Sequence, residues 1–146
     1  MTKKLAKQVK YDTLYLKIAR EVGLMSASKR SQVGAIMVKS DRIISMGWNG
    51  TPHGFDNVCE NKTGTGLVTK PEVLHAESNC ITKIAKSTDS SSESTMYITL
   101  SPCFECAKLI IQSNIKRIVY LDEYRDLQGV SLLKKAGISV LKRSIK

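Results

Sequence analysis

The chain has 146 residues and a hydrophobic content of 42%, which predicts a single globular domain over residues 1–146 and excludes a disordered protein. No apolar run is long enough to span a bilayer, and no apolar segment follows the basic start at Lys3 and Lys4, so we expect neither a membrane span nor a signal peptide. The formal net charge of +10 fits either a phosphorylated partner or a solvated surface with basic termini.

Helical and strand periodicities alternate along the chain and predict nine elements in the order α, β, β, α, β, α, β, α, β. The predicted elements are a helix at 7–22 closed by Gly23, strands at 33–38 and 42–46, a helix at 76–86, a strand at 96–100, a helix that begins after Pro102 and is capped by Asn114, a strand at 117–121, a helix at 126–136 closed by Gly137, and a strand at 138–141. The first two strands predict a β-hairpin, and the later strands predict parallel pairs. This order predicts an α/β fold in which helices cover both faces of the sheet.

Residues 47–54 are dense in Gly, Pro and Asn, which predicts a loop. We expect irregular structure to continue from there to Pro71. So long an irregular segment inside a compact domain is typical of a functional loop, and its position just before His75 favours that interpretation.

Two short motifs carry chemistry, namely His75-Ala76-Glu77 and Pro102-Cys103-Phe104-Glu105-Cys106. The imidazole of His75 and the thiolates of Cys103 and Cys106 are three of the four tetrahedral ligands that Zn²⁺ prefers. A zinc site with three protein ligands leaves one position open for water, as catalytic sites do. Glu77, two residues after the histidine, is the expected acid or base beside that water.

The spacing within the second motif suits shared metal ligation. Residues three apart are neighbours on a helix surface, so Cys103 and Cys106 point the same way. Pro102 fits the start of that helix, because its missing N–H costs nothing there. The partial positive charge of a helix N-terminus also favours thiolates over thiols.

A redox pair and half of a structural zinc site are the alternatives for a single Cys-x-x-Cys. A structural site needs a fourth ligand, but the remaining candidates, His53, Cys59 and Cys80, form no second close pair. A redox pair needs no upstream His-x-Glu. The joint pattern therefore favours catalytic zinc, and we expect the four cysteines to be thiols and metal ligands without disulfides.

The chain resembles the cytidine-deaminase superfamily and, within it, the deoxycytidylate (dCMP) deaminases of phages and animals, from about Gln32 to Val140. The zinc motifs indicate only the superfamily. The dCMP branch is favoured by the segment Gly47-Trp48-Asn49-Gly50-Thr51-Pro52 and by the long insert before His75. The resemblance implies a three-layer α/β/α cytidine-deaminase-like fold with a mixed five-stranded sheet.

By this resemblance the chain is expected to hydrolyse dCMP to dUMP and ammonia, a step that feeds dTMP synthesis. Glu77 would take a proton from the zinc-activated water, deliver it to the ring nitrogen and later protonate the departing amine. Some phage relatives carry an additional structural zinc, but the residues before His75 lack the extra His and Cys ligands, so we expect one zinc per chain. The expected location is the cytoplasm, or the host cytoplasm for a viral source.

The resemblance also implies substrate contacts, for which the predicted residues are Asn49, Ala76, Ser101, Pro102, Tyr120 and Tyr124. Candidates for the substrate phosphate, which the sequence does not rank, are Lys29, Arg30 and Arg125. An ordinary turn asparagine is the alternative for Asn49. Core packing is the alternative for the two tyrosines and for Trp48.

Enzymes of this kind are typically hexamers that are activated by dCTP and inhibited by dTTP with Mg²⁺, and the resemblance implies the same here. The predicted contacts of the regulatory nucleotide are Arg30, Gly47, Trp48, Asn49 and Gly50. Glycines allow close approach of the backbone to a ligand, and one loop that touches both sites couples them. Trp48 stands where the family usually has tyrosine, and an unregulated enzyme whose loop only shapes the active site is the alternative.

The sequence leaves three other functions open. A tRNA adenosine deaminase shares the motifs and suits the positive charge, although the segment between Asn49 and His75 is short in those enzymes and long here. A free nucleoside or base deaminase is the second. A non-catalytic zinc-binding or nucleic-acid-binding module is the third, and Glu77 disfavours it. We therefore expect a small nucleotide substrate, with no membrane and no nucleic-acid partner.

Overall fold

The computed structural model describes residues 1–145, which form four helices and seven strands. In chain order these are α1 (Lys3–Gly23), β1 (Gly34–Lys39), β2 (Arg42–Trp48), β3 (Glu60–Thr63), β4 (Gly66–Thr69), α2 (Ala76–Ala85), β5 (Thr95–Leu100), α3 (Phe104–Gln112), β6 (Arg117–Asp122), α4 (Gln128–Lys135) and β7 (Ser139–Lys142). All nine predicted elements are present, and β3 and β4 are additional. Among the helices of this described range, none is long and apolar enough to cross a membrane.

The main sheet has five strands in the order β2-β1-β5-β6-β7. Strand β1 runs antiparallel to both β2 and β5, whereas β5, β6 and β7 are parallel to one another. The predicted hairpin, the parallel pairs and the mixed five-stranded sheet are therefore confirmed. Parallel neighbours need crossover connections, and α3 and α4 supply them.

Helices cover both faces of this sheet, which confirms the three-layer architecture. On one face, Leu16 and Ala19 of α1 pack against alternate strand residues such as Ile36 and Val119. On the other face, α2, α3 and α4 pack against the intervening strand residues. Because both faces are buried, β1 is apolar without alternation. A fully buried large side chain such as Leu16 contributes about 1.5–3 kcal/mol to the free energy of unfolding.

Helix α1 begins at Lys3, one turn earlier than the predicted start at residue 7. Thr2 is its N-cap, and Thr2 Oγ1 accepts a hydrogen bond from the Leu5 amide at 3.1 Å. The first turn is exposed on all sides, so it carries no apolar periodicity. The start of α1 is therefore set by the Thr2 cap and not by burial of an apolar face.

The prediction of irregular structure from 47 to Pro71 is wrong in two places. Strand β2 continues through Gly47 and Trp48, and β3 pairs with β4 as an antiparallel hairpin. Most of this hairpin is exposed, so no hydrophobic alternation predicts it. Backbone hydrogen bonds between Gly50 and Leu74 place Leu74, the residue directly before His75, beside the end of β2.

The remaining boundaries agree with the predicted ones to within two residues. Asn114 and Gly137 have φ angles of 57° and 85° and directly follow the C-caps of α3 and α4. This left-handed conformation is typical of residues that end helices, which confirms both predicted endings.

Candidate metal centre and substrate pocket

The three predicted zinc ligands come together where α2 and α3 begin. His75 is the N-cap of α2, Cys103 is the N-cap of α3, and Cys106 lies in the first turn of α3. Their ligating atoms all lie within 4.8 Å of one another. His75 Nδ1 is 3.3 Å from Cys106 Sγ and 3.5 Å from Cys103 Sγ. The fold thus joins two motifs that are distant in sequence into one cluster.

Both cap residues keep their side chains available for this cluster. An ordinary N-cap side chain accepts a hydrogen bond from an amide in the first turn of its own helix. Within residues 1–145, neither His75 nor Cys103 makes such a bond. The partial positive charge at both helix N-termini also favours the thiolate forms of Cys103 and Cys106.

The chemistry and spacing of these atoms fit zinc. Bonds of about 2.0–2.3 Å to nitrogen and sulfur place the ligand atoms of a tetrahedral zinc ion about 3.5 Å apart. The nitrogen–sulfur distances of 3.3 and 3.5 Å match this spacing. One imidazole and two thiolates leave the fourth position to a water molecule or a substrate.

The two cysteine sulfurs are electrostatically coupled. The hydrogen bond that Cys106 donates, followed by the one from His75, lowers the pKa of the Cys103 thiol to about 4. The Cys103 sulfur and burial together raise the pKa of the Cys106 thiol. A divalent cation that binds both sulfurs displaces the remaining thiol proton.

Glu77 lies in the first turn of α2, and only 4% of its surface is exposed. Burial raises the pKa of its carboxyl to about 6. The residue also lines a pocket that reaches His75 and Cys103. A buried carboxyl beside a metal-binding cluster, with access to a pocket, is placed for proton transfer.

The pocket has a volume of about 350 Å³, within the range of small-molecule sites. Besides residues 75–77 and Cys103, its walls come from the turn at 28–33, Asn49, Thr69, Val73, the end of β5 at 100–101 and the β6–α4 loop at 123–125. It lies where the carboxyl ends of β5 and β6 meet the N-termini of α2 and α3. Ligands of open α/β sheets bind at this end of the strands.

Residues 9–122 match the protein-family model of the cytidine and deoxycytidylate deaminase zinc-binding region. The chain belongs to the cytidine and deoxycytidylate deaminase family. This deaminase is 34% identical to the deoxycytidylate deaminase of Enterobacteria phage T4 over an alignment of 165 positions, gaps included, which covers 86% of each chain. It is 37% identical to the human deoxycytidylate deaminase over an alignment of 130 positions, gaps included, which covers 80% of this chain and 70% of the human one.

Solved structures agree with this assignment. The dCMP deaminase of cyanophage S-TIM5, crystallised in complex with dCMP and dUMP, superposes on the deaminase with a TM-score of 0.85. The two chains are 40% identical, and the match covers 98% of this chain and 99% of the cyanophage chain. A tRNA:A34 deaminase structure matches with a TM-score of 0.61 at 20% identity, covering 90% of this chain and 91% of that chain, so that likeness concerns the fold alone.

Asn49 lines the pocket of the deaminase, but both groups of its side-chain amide bind backbone. Its Oδ1 accepts a hydrogen bond from the Val33 amide at 2.9 Å, and its Nδ2 donates to the Ser31 carbonyl at 2.7 Å. Asn49 therefore ties the turn at 28–33 to the end of β2. Its predicted contact with substrate stays a prediction.

Gly47 and Trp48 lie against α2 in the deaminase. A Cβ at Gly47 would lie 2.5 Å from both the Ala76 carbonyl oxygen and the Cys80 amide nitrogen, so only glycine allows this contact. The Lys83 ammonium lies 4.5 Å from the centre of the Trp48 ring. The close backbone approach that we expected towards a nucleotide is here an approach to a helix. Regulatory contacts of these residues and of Gly50 stay predictions.

The other predicted substrate contacts divide into two groups. Ala76, Ser101 and Tyr124 line the pocket, and Ser101 Oγ accepts a hydrogen bond from the Tyr124 amide at 2.7 Å. Tyr120 and Pro102 are buried and lie outside the pocket lining that residues 1–145 provide. Tyr120 packs in the core, and the predicted contacts of Tyr120 and Pro102 with substrate stay predictions.

Two residues that the sequence analysis missed shape the site. A Cβ at Gly129 of α4 would overlap the Pro102 carbonyl oxygen and lie 2.7 Å from the Cys103 carbonyl carbon, so this glycine lets α4 pack against the metal-binding turn. Glu60 of β3 hydrogen-bonds to the turn that carries Arg30. Neither Gly129 nor Glu60 belongs to a local sequence motif that would have marked it as part of the site.

Proposed function

We propose that this deaminase hydrolyses dCMP to dUMP and ammonia. The observation that carries the proposal is the cluster of His75, Cys103 and Cys106, which opens into a pocket that also holds a buried carboxyl and two arginines. The deoxycytidylate deaminases of phage T4 and of humans, and the cyanophage enzyme in complex with dCMP and dUMP, support the choice of substrate.

The proposed reaction needs one nucleophile and one proton shuttle. His75, Cys103 and Cys106 would hold a zinc ion, which would supply Lewis acidity and lower the pKa of a water molecule towards neutrality. Glu77 takes a proton from the attacking water and passes it to the ring nitrogen of cytosine. The same carboxylate then takes the remaining proton from the hydroxyl added to the ring carbon and passes it to the amino group. The C–N bond breaks, ammonia leaves, and the water oxygen becomes the uracil carbonyl. One water is consumed and one ammonia is released, without a redox step.

The basic side chains at the pocket favour a nucleotide over a nucleoside. Arg30 and Arg125 line the pocket, and among residues 1–145 neither forms a salt bridge. We infer that these guanidinium groups bind the 5′-phosphate, because an arginine presents paired donors to phosphate oxygens. Arg30 was predicted both as a candidate for the substrate phosphate and as a contact of the regulatory nucleotide, and of these two roles we propose the substrate contact. Asn49, Ala76, Ser101 and Tyr124 are the proposed contacts of the base and sugar.

Regulation is a finer proposal that rests on the resemblance to dCMP deaminases. We propose that dCTP activates the enzyme and that dTTP with Mg²⁺ inhibits it, in a hexamer whose product feeds dTMP synthesis in the cytoplasm. Asn49 lines the pocket, while Gly47 of the same segment touches the backbone of α2, which carries Glu77. One segment in contact with both the pocket and this helix provides a route for coupling.

The test is release of ammonia from dCMP, CMP, deoxycytidine and an adenosine-containing tRNA stem-loop. We expect the zinc-loaded enzyme to prefer dCMP by a wide margin in kcat/KM. Turnover of the stem-loop equal to or above that of dCMP would contradict the proposal and favour a tRNA deaminase, whose fold this chain shares.

A further inference from the structure

Glu60 is a buried carboxylate in the exposed β3–β4 hairpin, with 8% of its surface accessible. Its Oε2 accepts three hydrogen bonds from consecutive residues. The donors are Ser28 Oγ at 2.7 Å, the Lys29 amide at 3.0 Å and the Arg30 amide at 3.1 Å. A hydroxyl and two successive amides that converge on one point form an anion-binding turn, and Glu60 supplies the anion.

The same hairpin also holds the far end of Arg30. Arg30 Nη1 donates a hydrogen bond to Thr69 Oγ1 at 3.0 Å. Thr69 is the residue of β4 that pairs directly with Glu60 of β3. One cross-strand pair therefore fixes both the backbone and the guanidinium of Arg30, at a point where Ser28, Arg30 and Thr69 all line the pocket.

This arrangement decides which groups remain for an incoming anion. The Glu60 carboxylate already fills the amide turn, so a substrate phosphate does not bind there. Burial opposes ionisation, but the three hydrogen bonds outweigh it and hold the pKa of Glu60 below its ordinary value. The carboxylate therefore stays charged at neutral pH and keeps these bonds. The backbone and Nη1 of Arg30 are held by hydrogen bonds, and its guanidinium has further N–H donors that can bind an incoming anion.

We propose that Glu60 is a positioning residue that, together with Thr69, holds Arg30 at the pocket so that its guanidinium binds the substrate phosphate. Glu60 thereby sets the preference for a nucleotide over the corresponding nucleoside. This inference rests on the proposed dCMP deaminase function and extends it to a residue outside the catalytic cluster.

The experiment compares Glu60→Ala with wild type on dCMP and on deoxycytidine, which lacks the phosphate. We expect KM for dCMP to rise about tenfold, as for the loss of one charge-assisted contact, with kcat unchanged within about twofold. The kcat/KM for deoxycytidine should not change. Glu60→Gln retains an accepting oxygen and should show an intermediate KM. Dissociation constants of dUMP and deoxyuridine, measured by calorimetry on zinc-loaded protein, report the same selectivity without turnover.

A double-mutant cycle separates positioning from general damage. If Glu60 acts through Arg30, the Glu60→Ala/Arg30→Ala variant has the same KM for dCMP as Arg30→Ala alone. Independent, multiplying effects would overturn the proposal. Should Glu60→Ala fail to fold, Thr69→Val removes only the guanidinium anchor and is expected to raise KM for dCMP selectively.

The outcomes distinguish this inference from the proposed function. A wild-type enzyme that prefers deoxycytidine or the tRNA stem-loop to dCMP overturns the proposed function. A wild-type enzyme that prefers dCMP, combined with Glu60→Ala and Thr69→Val variants that lose dCMP and deoxycytidine binding equally, overturns the positioning role alone.

Discussion

Asp12 of α1 and Arg117 of β6 form a two-point ion pair across 105 residues of sequence, with nitrogen–oxygen distances of 2.8 and 2.7 Å. The aspartate has no exposed surface. Tyr97 and Arg143 each donate a further hydrogen bond to its carboxylate at 2.8 Å. One buried carboxylate outside the metal centre thus joins α1, β5, β6 and the segment after β7.

Acid is expected to destabilise the protein through Asp12. Burial raises its pKa, but hydrogen bonds from Arg117, Tyr97 and Arg143 outweigh burial and lower the pKa from 3.8 to about 2. Because the folded pKa lies below the unfolded one, this stabilisation is complete above about pH 5 and is lost as the pH falls towards 2. Its size is about 2 kcal/mol in the free energy of unfolding.

The measurement is the free energy of unfolding of wild type and of Asp12→Asn at several pH values between about 7 and 2. At neutral pH the variant should be less stable by about 3–5 kcal/mol, because it leaves the partly buried Arg117 and Arg143 without their charged partner. The difference between the two proteins should shrink in acid, where other titrating groups and loss of metal affect both alike. A difference that stays constant over this range contradicts the role of Asp12.

Glu77→Gln should retain zinc and lose turnover, because ligation and proton transfer belong to different side chains. The expected loss in kcat is about 10²–10⁴-fold. Zinc content is measured by elemental analysis and activity by ammonia release from dCMP. Glu105→Gln is the matched control, since Glu105 is exposed on α3 and pairs with Lys108 at 2.7 Å. Near-normal activity of Glu77→Gln would show that Glu77 is not the proton shuttle.

Cys103→Ala should lose both zinc and activity, because two remaining ligands bind the metal poorly. Dialysed protein should contain little zinc, and its thermal midpoint should no longer respond to added zinc. Cys59→Ala is the control, since this buried thiol lies outside the metal-binding cluster. Stoichiometric zinc in Cys103→Ala would exclude Cys103 as a ligand.

Gly129→Ala should weaken zinc binding although Gly129 is not a ligand. The added methyl would overlap the Pro102 carbonyl oxygen and press on the Cys103 carbonyl, so either α4 or the metal-binding turn must move. We expect a destabilisation of about 1–3 kcal/mol and a lower zinc affinity in competition with a chelator. Gly64→Ala is the matched control, because a Cβ there meets no atom within 4 Å. Equal zinc affinity in the two variants would contradict this account.

Gly50→Val tests regulation at a position where a Cβ also meets no atom within 4 Å. Wild type should turn over dCMP with a sigmoidal dependence, which becomes hyperbolic with dCTP and is suppressed by dTTP with Mg²⁺. The variant should retain zinc and respond less to both triphosphates. Wild-type rates that ignore both triphosphates refute the regulatory proposal and leave the deaminase proposal intact.

The candidate metal ligands were predictable because each of their two motifs is local, although the fold brings the two motifs together. Cys103 and Cys106 share one helical turn, and His75 begins the next motif helix upstream, so residue type and spacing alone indicate a zinc site. The nine principal elements were predictable for a similar reason. The spacing of apolar residues that distinguishes a helix from a strand involves only residues close together in the chain. The β3–β4 hairpin was not, because most of its residues are exposed and carry no pattern.

Residue types and their spacing were enough to predict the His75, Cys103 and Cys106 cluster, the order of the main elements and the resemblance to deaminases. Three features instead depend on tertiary packing: Arg30 lies at the pocket, Glu60 holds it, and Gly129 makes room for the turn at Pro102 and Cys103. The physical reason is distance along the chain. Glu60 bonds to Arg30 across 30 residues, and Asp12 to Arg117 across 105. The geometry of such contacts depends on how whole helices and strands pack, and residue spacing contains no record of it.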